Sequence, residues 1–340
     1  MITGKVIKDN LTKKLIHRIS PGEIALIAHR DLDEIMARCL LEAGVKAVIN
    51  TEPFISGKFP HRGPQVLREQ GVQLLRTDSK LWAELTEGDR VDIFEGAVYL
   101  NNRFIGQCIS VDVSLHKKKR QQAAQNFNLQ LESFIDNTLE NALQDKPSIL
   151  QGDFLLPDYN FRDRDVLVVV RGRNYKKDLA VISDHIEEWQ PAIIAVDGGA
   201  DGCLEAGIIP DFIIGDMDSV SDSSLYCGAR IIVHGYRDGR APGLQRINDL
   251  GLEAGLITVP GTSEDAALLF AYEKGAAAIV ALGTHLGAID FLEKGRAGMG
   301  STILIRMKIG HKLIDLRGIS QVMAEEGNFS NNRTEVDCCE

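Results

Sequence analysis

Acidic residues beside glycine recur at three places in the second half of this chain, and a metal–phosphate ligand needs that pairing. Asp197-Gly198-Gly199 follows the apolar run AIIAV, and Gly215-Asp216-Met217-Asp218-Ser219 follows FII. Thr262-Ser263-Glu264-Asp265 comes after ITV and the turn Pro260-Gly261. Carboxylates are hard oxygen ligands suited to Mg2+, which takes one or two of them and completes its octahedron with water and substrate phosphate. The glycines let a phosphate chain approach the backbone closely. Asp216 and Asp218 stand two apart, so in an extended segment both carboxylates point to the same side. Each cluster also has an ordinary reading: a turn at Asp197, a helix cap at Asp218-Ser219, and a capping box in which Thr262 takes a backbone amide and Asp265 favours the positive helix end. Taken together, Asp197, Asp216 and Asp218 read as one metal-binding, catalytic set. Arg171 and Arg173, after the run VLVVV, read either as phosphate contacts or as a solvated loop. His285, in Gly283-Thr284-His285-Leu286-Gly287, reads as a loop hydrogen-bonding residue.

The elements that must position these residues are short β-branched runs alternating with helical stretches from Asp165 onward: VLVVV, AIIAV, FIIG, RIIV and AIVAL. That alternation is the pattern of a parallel sheet covered on both faces, whose ligands sit beyond the carboxyl ends of the strands. A doubly wound α/β domain is therefore expected over 160–320, with Ser301 to Met307 and Lys312 to Leu316 as late strands. Residues 324–340 read as a disordered tail.

Residues 1–114 read as a mixed α/β domain. A strand (IALIA), a helix from Leu32 to Ala43 stopped by Gly44, and a second strand (AVI) open it, and a β-hairpin turns at Leu100-Asn101-Asn102-Arg103. The loop Ser56 to Pro64, with Lys58, His61 and Arg62, reads as a rigid turn, with a second anion site as the alternative. Residues 115–150 form a helical linker in which Ala124, Phe127, Leu131, Phe134 and Thr138 recur at three- and four-residue steps. Such a seam either makes a homodimer or interdomain contact through the 115–143 helix or lies on its own domain. The run Lys117 to Arg120 reads as a solvated helix end.

The chain has 340 residues, 38 Lys+Arg against 48 Asp+Glu, and 44% hydrophobic residues. At roughly 100 to 200 residues per domain this length implies two domains. The net charge of −10 argues against sequence-independent binding to nucleic acid. The six cysteines are scattered without a C-x-x-C pair, which fits a reducing cytosol and no zinc site. No apolar stretch approaches the ~18 residues that span a bilayer, so a cytoplasmic chain is expected.

The stretch from Ala195 to Ser219 resembles the nucleotide-binding segment of thiamine pyrophosphokinases, in which aspartates of D-G-G and G-D-x-D-S elements hold Mg2+ and ATP phosphates. The longer pattern resembles the SteA-like cytokinetic ring proteins of Gram-positive bacteria. It is carried by Ser56-Gly57-Lys58-Phe59-Pro60, Asp238-Gly239-Arg240-Ala241-Pro242-Gly243-Leu244, Gly261-Thr262-Ser263-Glu264-Asp265 and Phe291 to Gly300. The SteA-like resemblance covers about Gly22 to Ile319 and the kinase-like part about Asp165 to Asp290.

These resemblances imply Mg2+ with ATP or another phosphorylated ligand, held by Asp197, Asp216 and Asp218 on the metal. Gly198, Gly199, Gly215, Ser219, Arg171, Ser263, Asp265 and Asp290 would line the nucleotide. They also imply a cell-division partner that recruits the chain to the membrane. Ser263 stands where the Asp of the enzymes' Thr-Asp step belongs, with Glu264 or Asp265 as its substitute, and their G-G-R-L-D-H element reads Leu286-Gly287-Ala288-Ile289-Asp290-Phe291. About fifty residues follow Asp290, too few for the β-sandwich that helps build the enzymes' thiamine pocket. The expected role is therefore binding or regulatory, with an active, AMP-releasing pyrophosphokinase as the alternative.

Overall fold

The computed structural model describes residues 1–323 except Asp153; the tail expected to be disordered lies outside the described residues. The chain divides into two compact units, Met1–Asn137 with Gly287–Gly298, and Thr138–Leu286 with the chain from Met299 onward.

In the first unit the strands are β1 (Ile2–Asp9), β2 (Ile24–Ile27), β3 (Ala47–Asn50), β4 (Gln73–Arg76), β5 (Arg90–Phe94), β6 (Ala97–Leu100), β7 (Arg103–Gln107) and β8 (Ile109–Ser110). They form one mixed sheet in the order β7-β6-β5-β1-β2-β3-β4-β8, parallel from β1 to β4. Helices α1 (Thr12–Leu15), α2 (Glu34–Glu42) and α3 (Gly63–Glu69) connect the parallel strands, and α4 (Ser79–Glu84) leads into the antiparallel part. Period-two alternation divides the buried residues between the two faces. Ile7, Ala25, Ile27 and Val48 pack with Leu40 and Leu67, whereas Val6, Ile24, Leu26 and Ile49 pack with Leu81 and Val91. The hairpin at Leu100 to Arg103 forms as expected, because Asn101 and Asn102 both take the left-handed conformation that a two-residue turn requires (φ 52° and 62°).

Helices α5 (Val113–Gln125) and α6 (Phe127–Gln151) follow, and α6 begins in the first unit and ends in the second. Part of the apolar seam expected on this segment, Phe127, Phe134 and Thr138, lies on the chain's own residues, whereas Ala124 is exposed. Phe127 packs on Phe59 and Phe134 on Phe291, each pair with ring centroids 6.3 Å apart. Thr138 is buried and its Oγ1 accepts the Met299 N–H at 3.1 Å. Phe134 and Thr138 are therefore closed to a second copy.

The second unit is built on seven strands, β9 (Val166–Val170), β10 (Ala192–Val196), β11 (Phe212–Gly215), β12 (Arg230–His234), β13 (Ala254–Ile257), β14 (Ile279–Leu282) and β15 (Leu313–Asp315). Every pairing is parallel, in the order β13-β12-β11-β10-β9-β14-β15. Helices α7 (Tyr175–Trp189), α8 (Gly199–Glu205), α9 (Asp222–Leu225), α10 (Gly243–Asp249) and α11 (Ser263–Glu273) intervene. After β14 come α12 (Ala288–Glu293), which belongs to the first unit, and α13 (Gly300–Ile309). Val166, Val168 and Val170 join the core that holds α11 and α13, and Leu167 and Val169 join the one that holds α7 and α8. Both faces of the sheet are thus covered, the α/β architecture expected.

One element differs from expectation. Ser301 to Met307 is helical, in α13, and not a strand. Its β-branched run looks extended, yet the buried positions are Ser301, Thr302, Ile305 and Ile309 while Met307 is 76% exposed. That is helical spacing, and packing of this stripe outweighs the local β preference of Thr and Ile. Among the described residues no helix is long and apolar enough to cross a membrane.

Candidate functional site

Strand order in the second unit reverses at β9, whose neighbours are β10 on one side and β14 on the other. Such a switch point opens a crevice beyond the carboxyl ends of the strands. Arg171 follows β9, Asp197 follows β10, Asp216 follows β11 and His285 stands three residues after β14. The backbones after β9 and β14 touch there: a Cβ at Gly172 would overlap the Gly283 carbonyl oxygen, and Gly283 has φ +69°.

Asp197 is the centre of the arrangement. Its N–H donates to the Ile214 carbonyl at 3.0 Å, and its Oδ1 accepts the Met217 N–H at 3.0 Å. Its backbone is left-handed (φ 47°), which costs a non-glycine residue on the order of 1 kcal/mol. The carboxylate lies against the backbone of Gly215, where any Cβ would overlap it. Gly198 is held as tightly: a Cβ there would stand 2.5 Å from the Arg171 guanidinium carbon and 2.7 Å from the Ser219 carbonyl oxygen. Gly199 permits α8 to start against the Val169 carbonyl. Asp197, Gly198, Gly199, Gly215, Arg171 and Ser219 therefore form one neighbourhood.

Asp216 and Asp218 belong to the loop that closes this neighbourhood, but the segment is not extended. Met217 is left-handed (φ 63°) and fully buried, and the Asp218 N–H turns back to Asp216 Oδ1 at 2.9 Å. Asp216 is exposed and Asp218 half-buried. The same-side argument from alternation fails here, because a turn replaces the strand.

Two residues without a sequence signal hold this loop. Arg246, on α10, donates to the carbonyls of Met217 and Val220 and to Asp222. Asp201, on α8, accepts from the Ser221 N–H, from Ser221 Oγ and from Ser224 Oγ. Its Oδ2 is buried without a hydrogen-bond partner among the described residues. A helical Arg and a second aspartate after D-G-G look like solvated surface in one sequence, and only the fold brings them to the loop.

The third cluster divides. Asp265 is fully buried and completes a capping box with Thr262, its Oδ2 accepting from the Thr262 N–H, Thr262 Oγ1 and Thr302 Oγ1. Burial, then the neighbouring Glu264 charge, push its pKa up to about 6. The cap is thus what the structure shows for Asp265, whose side chain is closed to solvent. Ser263 Oγ lies 3.4 Å from His234 Nδ1, and His234 Nε2 donates to the Val259 carbonyl at 2.9 Å. Glu264 binds His285 through both its N–H and Nδ1 at 3.1 Å and Arg306 Nη2 at 2.7 Å. Burial alone would raise Glu264, but the His285 hydrogen bonds and charge, with Arg306, hold its pKa below the ordinary value. Asp290 belongs to the first unit, where its Oδ2 accepts the Gly287 N–H at 3.1 Å and caps α12.

The donor set at Asp197 and the 216–218 loop is all carboxylate and backbone oxygen. Among the described residues no group of three or more His, Cys, Asp or Glu is gathered to hold a metal. One or two carboxylates with phosphate oxygens and water are what Mg2+ takes when it arrives with a nucleotide. The space over Gly198 and Gly215 is taken by Arg171, the Ser219 carbonyl and the Asp197 carboxylate, so it is the chemistry of the donors, hard carboxylate oxygens beside an arginine, that fits a Mg2+–phosphate group.

Residues 183–234 match the family model of the thiamin pyrophosphokinase catalytic domain. The matched span contains Asp197, Asp201, Asp216 and Asp218. The second unit thus carries a thiamine pyrophosphokinase-like catalytic domain. The 6-hydroxymethyl-7,8-dihydropterin pyrophosphokinase of Methanocaldococcus jannaschii is 29% identical over 99 residues, covering 27% of this chain and 41% of that protein. The crystal structure of thiamine pyrophosphokinase from Bacillus subtilis aligns over 44% of this chain and 60% of that one, at 25% identity and a TM-score of 0.27. The chain therefore spans less than two thirds of the length of either relative.

Proposed function

We propose that the second unit binds a Mg2+–nucleotide of the ATP type, and that the chain uses this binding in a regulatory, division-associated role of the SteA kind. The observation that carries the nucleotide reading is the seat of Asp197, a strained aspartate locked on Gly215 beside Arg171 and the 216–218 loop. Asp197, Asp216 and Asp218 would hold the metal, and Arg171 with the Gly198-Gly199 backbone would meet phosphate. Mg2+ when bound supplies neutralisation of phosphate charge. The cellular setting rests on the four SteA-like motifs alone, with recruitment to the membrane through a division protein.

Calorimetric titration with ATP, with and without Mg2+, tests the site. Binding that requires Mg2+ and is lost in Asp216→Ala/Asp218→Ala is expected; binding unchanged in that variant would overturn the assignment. A tagged chain that shows no enrichment at the division site would remove the cellular part.

A second reading is favoured by the names of both relatives, each a pyrophosphokinase. In it a substrate hydroxyl oxygen attacks the β-phosphorus of ATP, the bond to the bridging oxygen of the α-phosphate breaks, and AMP leaves. The hydroxyl proton goes to solvent or to a nearby carboxylate. AMP release that depends on an added acceptor and is abolished by Asp218→Ala would establish this reading over the purely regulatory one.

A further inference from the structure

The first unit contains a cavity of about 640 Å3 between α3 and α5, lined by Gln65, Arg68, Glu69, His116, Lys117 and Arg120. Ile55, Pro60 and Ala124 supply an apolar wall. This volume falls within the range of small-molecule sites, roughly 300 to 1,000 Å3. Among the charged side chains of the lining the donors outnumber the acceptors, with Arg68, Lys117 and Arg120 against Glu69. Its single carboxylate, Glu69, accepts the Gln65 amide at 2.6 Å, and the Gln65 carbonyl oxygen in turn accepts Arg120 Nη1. The Nε of Arg120 is closed to solvent and has no hydrogen-bond partner among the described residues. That atom is shielded from the cavity, so what Arg120 offers a ligand there is its positive charge and the Nη donors of the fork.

His116 adds a second donor without adding charge. Arg68 Nη2 lies 3.3 Å from His116 Nδ1, and a guanidinium can only donate, so Nδ1 is the acceptor and the ring proton sits on Nε2. Burial, then the charges of Arg68 and Lys119, bring the pKa of His116 down to about 4, so the ring is neutral at pH 7. Lys119 Nζ donates to the Ile55 carbonyl at 3.1 Å and so ties α5 to the cavity's apolar wall.

We propose that this cavity binds a small organic phosphate, a phosphate monoester carrying an apolar body. Two guanidiniums and an ammonium oppose one carboxylate that is already engaged, which matches a dianion. Arginine forks suit its oxygens, and the Ile55, Pro60 and Ala124 wall takes the organic part. The site lies wholly in the first unit and is independent of the nucleotide reading.

The test is a titration of the full chain with phenyl phosphate in EDTA, which removes Mg2+ from the second unit, alongside titrations with inorganic phosphate and benzoate. Phenyl phosphate should bind more tightly than either. Arg120→Met should weaken it tenfold or more, as loss of a charge-assisted bond does. Arg120→Lys should weaken it less, and the exposed Lys117→Ala, which leaves the packing intact, by several-fold. Hydrogen-exchange protection on binding should be confined to peptides covering 55–69 and 113–125, and Asp216→Ala/Asp218→Ala should bind unchanged. No binding at millimolar phenyl phosphate, the parent chain's affinity retained in both folded Arg120→Lys and folded Lys117→Ala, protection only around 197–221, or benzoate binding as tightly as phenyl phosphate would each overturn the proposal.

Discussion

The carboxylate of Asp197 occupies the space that a side chain at Gly215 would fill. Two adjacent strands are thereby tied at their carboxyl ends by one residue's lack of a Cβ, and the orientation of the aspartate follows from it. Gly215→Ala should displace Asp197, weaken Mg2+–ATP binding at least tenfold, and cost about 1 to 3 kcal/mol of stability through overpacking. Calorimetry and urea denaturation measure the two effects separately. Unaltered binding in a folded variant would show that the seat of Asp197 does not matter to the ligand.

Arg246 fastens the 216–220 loop through two carbonyls and Asp222. Arg246→Ala should leave the sheet folded and release that loop, with proteolytic sensitivity rising between 216 and 222. Mg2+–ATP affinity should fall about tenfold, the equivalent of one or two net hydrogen bonds of positioning.

Glu264 and Asp265 are neighbours whose pH effects oppose each other. Asp265 rises from an ordinary 3.8 to about 6, so its contribution to stability is full below the unfolded value and is lost as pH climbs through about 6. Asp265→Asn keeps an oxygen for the Thr262 cap and cannot ionise. Denaturation midpoints measured at pH 5 and pH 7.5 should therefore differ less in Asp265→Asn than in the parent chain. Glu264 is held below its ordinary 4.5, so its contribution is present above that value and is lost as pH falls through the lower folded one. Glu264→Gln should remove that acid-side loss.

Arg306 and Glu264 are paired in a nearly dry setting, their side chains 13% and 6% exposed. Removing Arg306 leaves the buried Glu264 carboxylate with His285 alone, and removing Glu264 leaves Arg306 with only the longer Asp315 contact at 3.5 Å. Arg306→Met should destabilise the chain by about 3 kcal/mol, and Arg306→Met/Glu264→Gln should recover part of that loss. A double-mutant cycle by chemical denaturation checks both numbers, and additive losses would contradict the pairing.

Much of the frame was readable in the amino-acid order. Five short apolar runs rich in β-branched residues became β9, β10, β11, β12 and β14, because runs of four or five such residues alternating with helical stretches have few other ways to be buried. Asp197, Gly198, Gly199 and Gly215 do meet, since consecutive parallel strands bring their ends together. What could not be read depended on packing between distant segments. Nothing in STILIRM says that a helical stripe will be buried, and nothing near Arg246 says that its guanidinium will reach back to Met217. The left-handed turn at Met217 was also hidden, because methionine carries no turn signal.

The short return of Gly287–Gly298 to the first unit has a practical corollary for anyone cutting the gene. The polypeptide passes between the units at 137/138, at 286/287 and at 298/299, so neither is a contiguous stretch of codons. A fragment ending at Asn137 lacks Phe291, the ring that packs on Phe134, and a fragment starting at Thr138 carries Phe291 without Phe134. Moving either unit whole into another protein therefore takes two segments of chain instead of one.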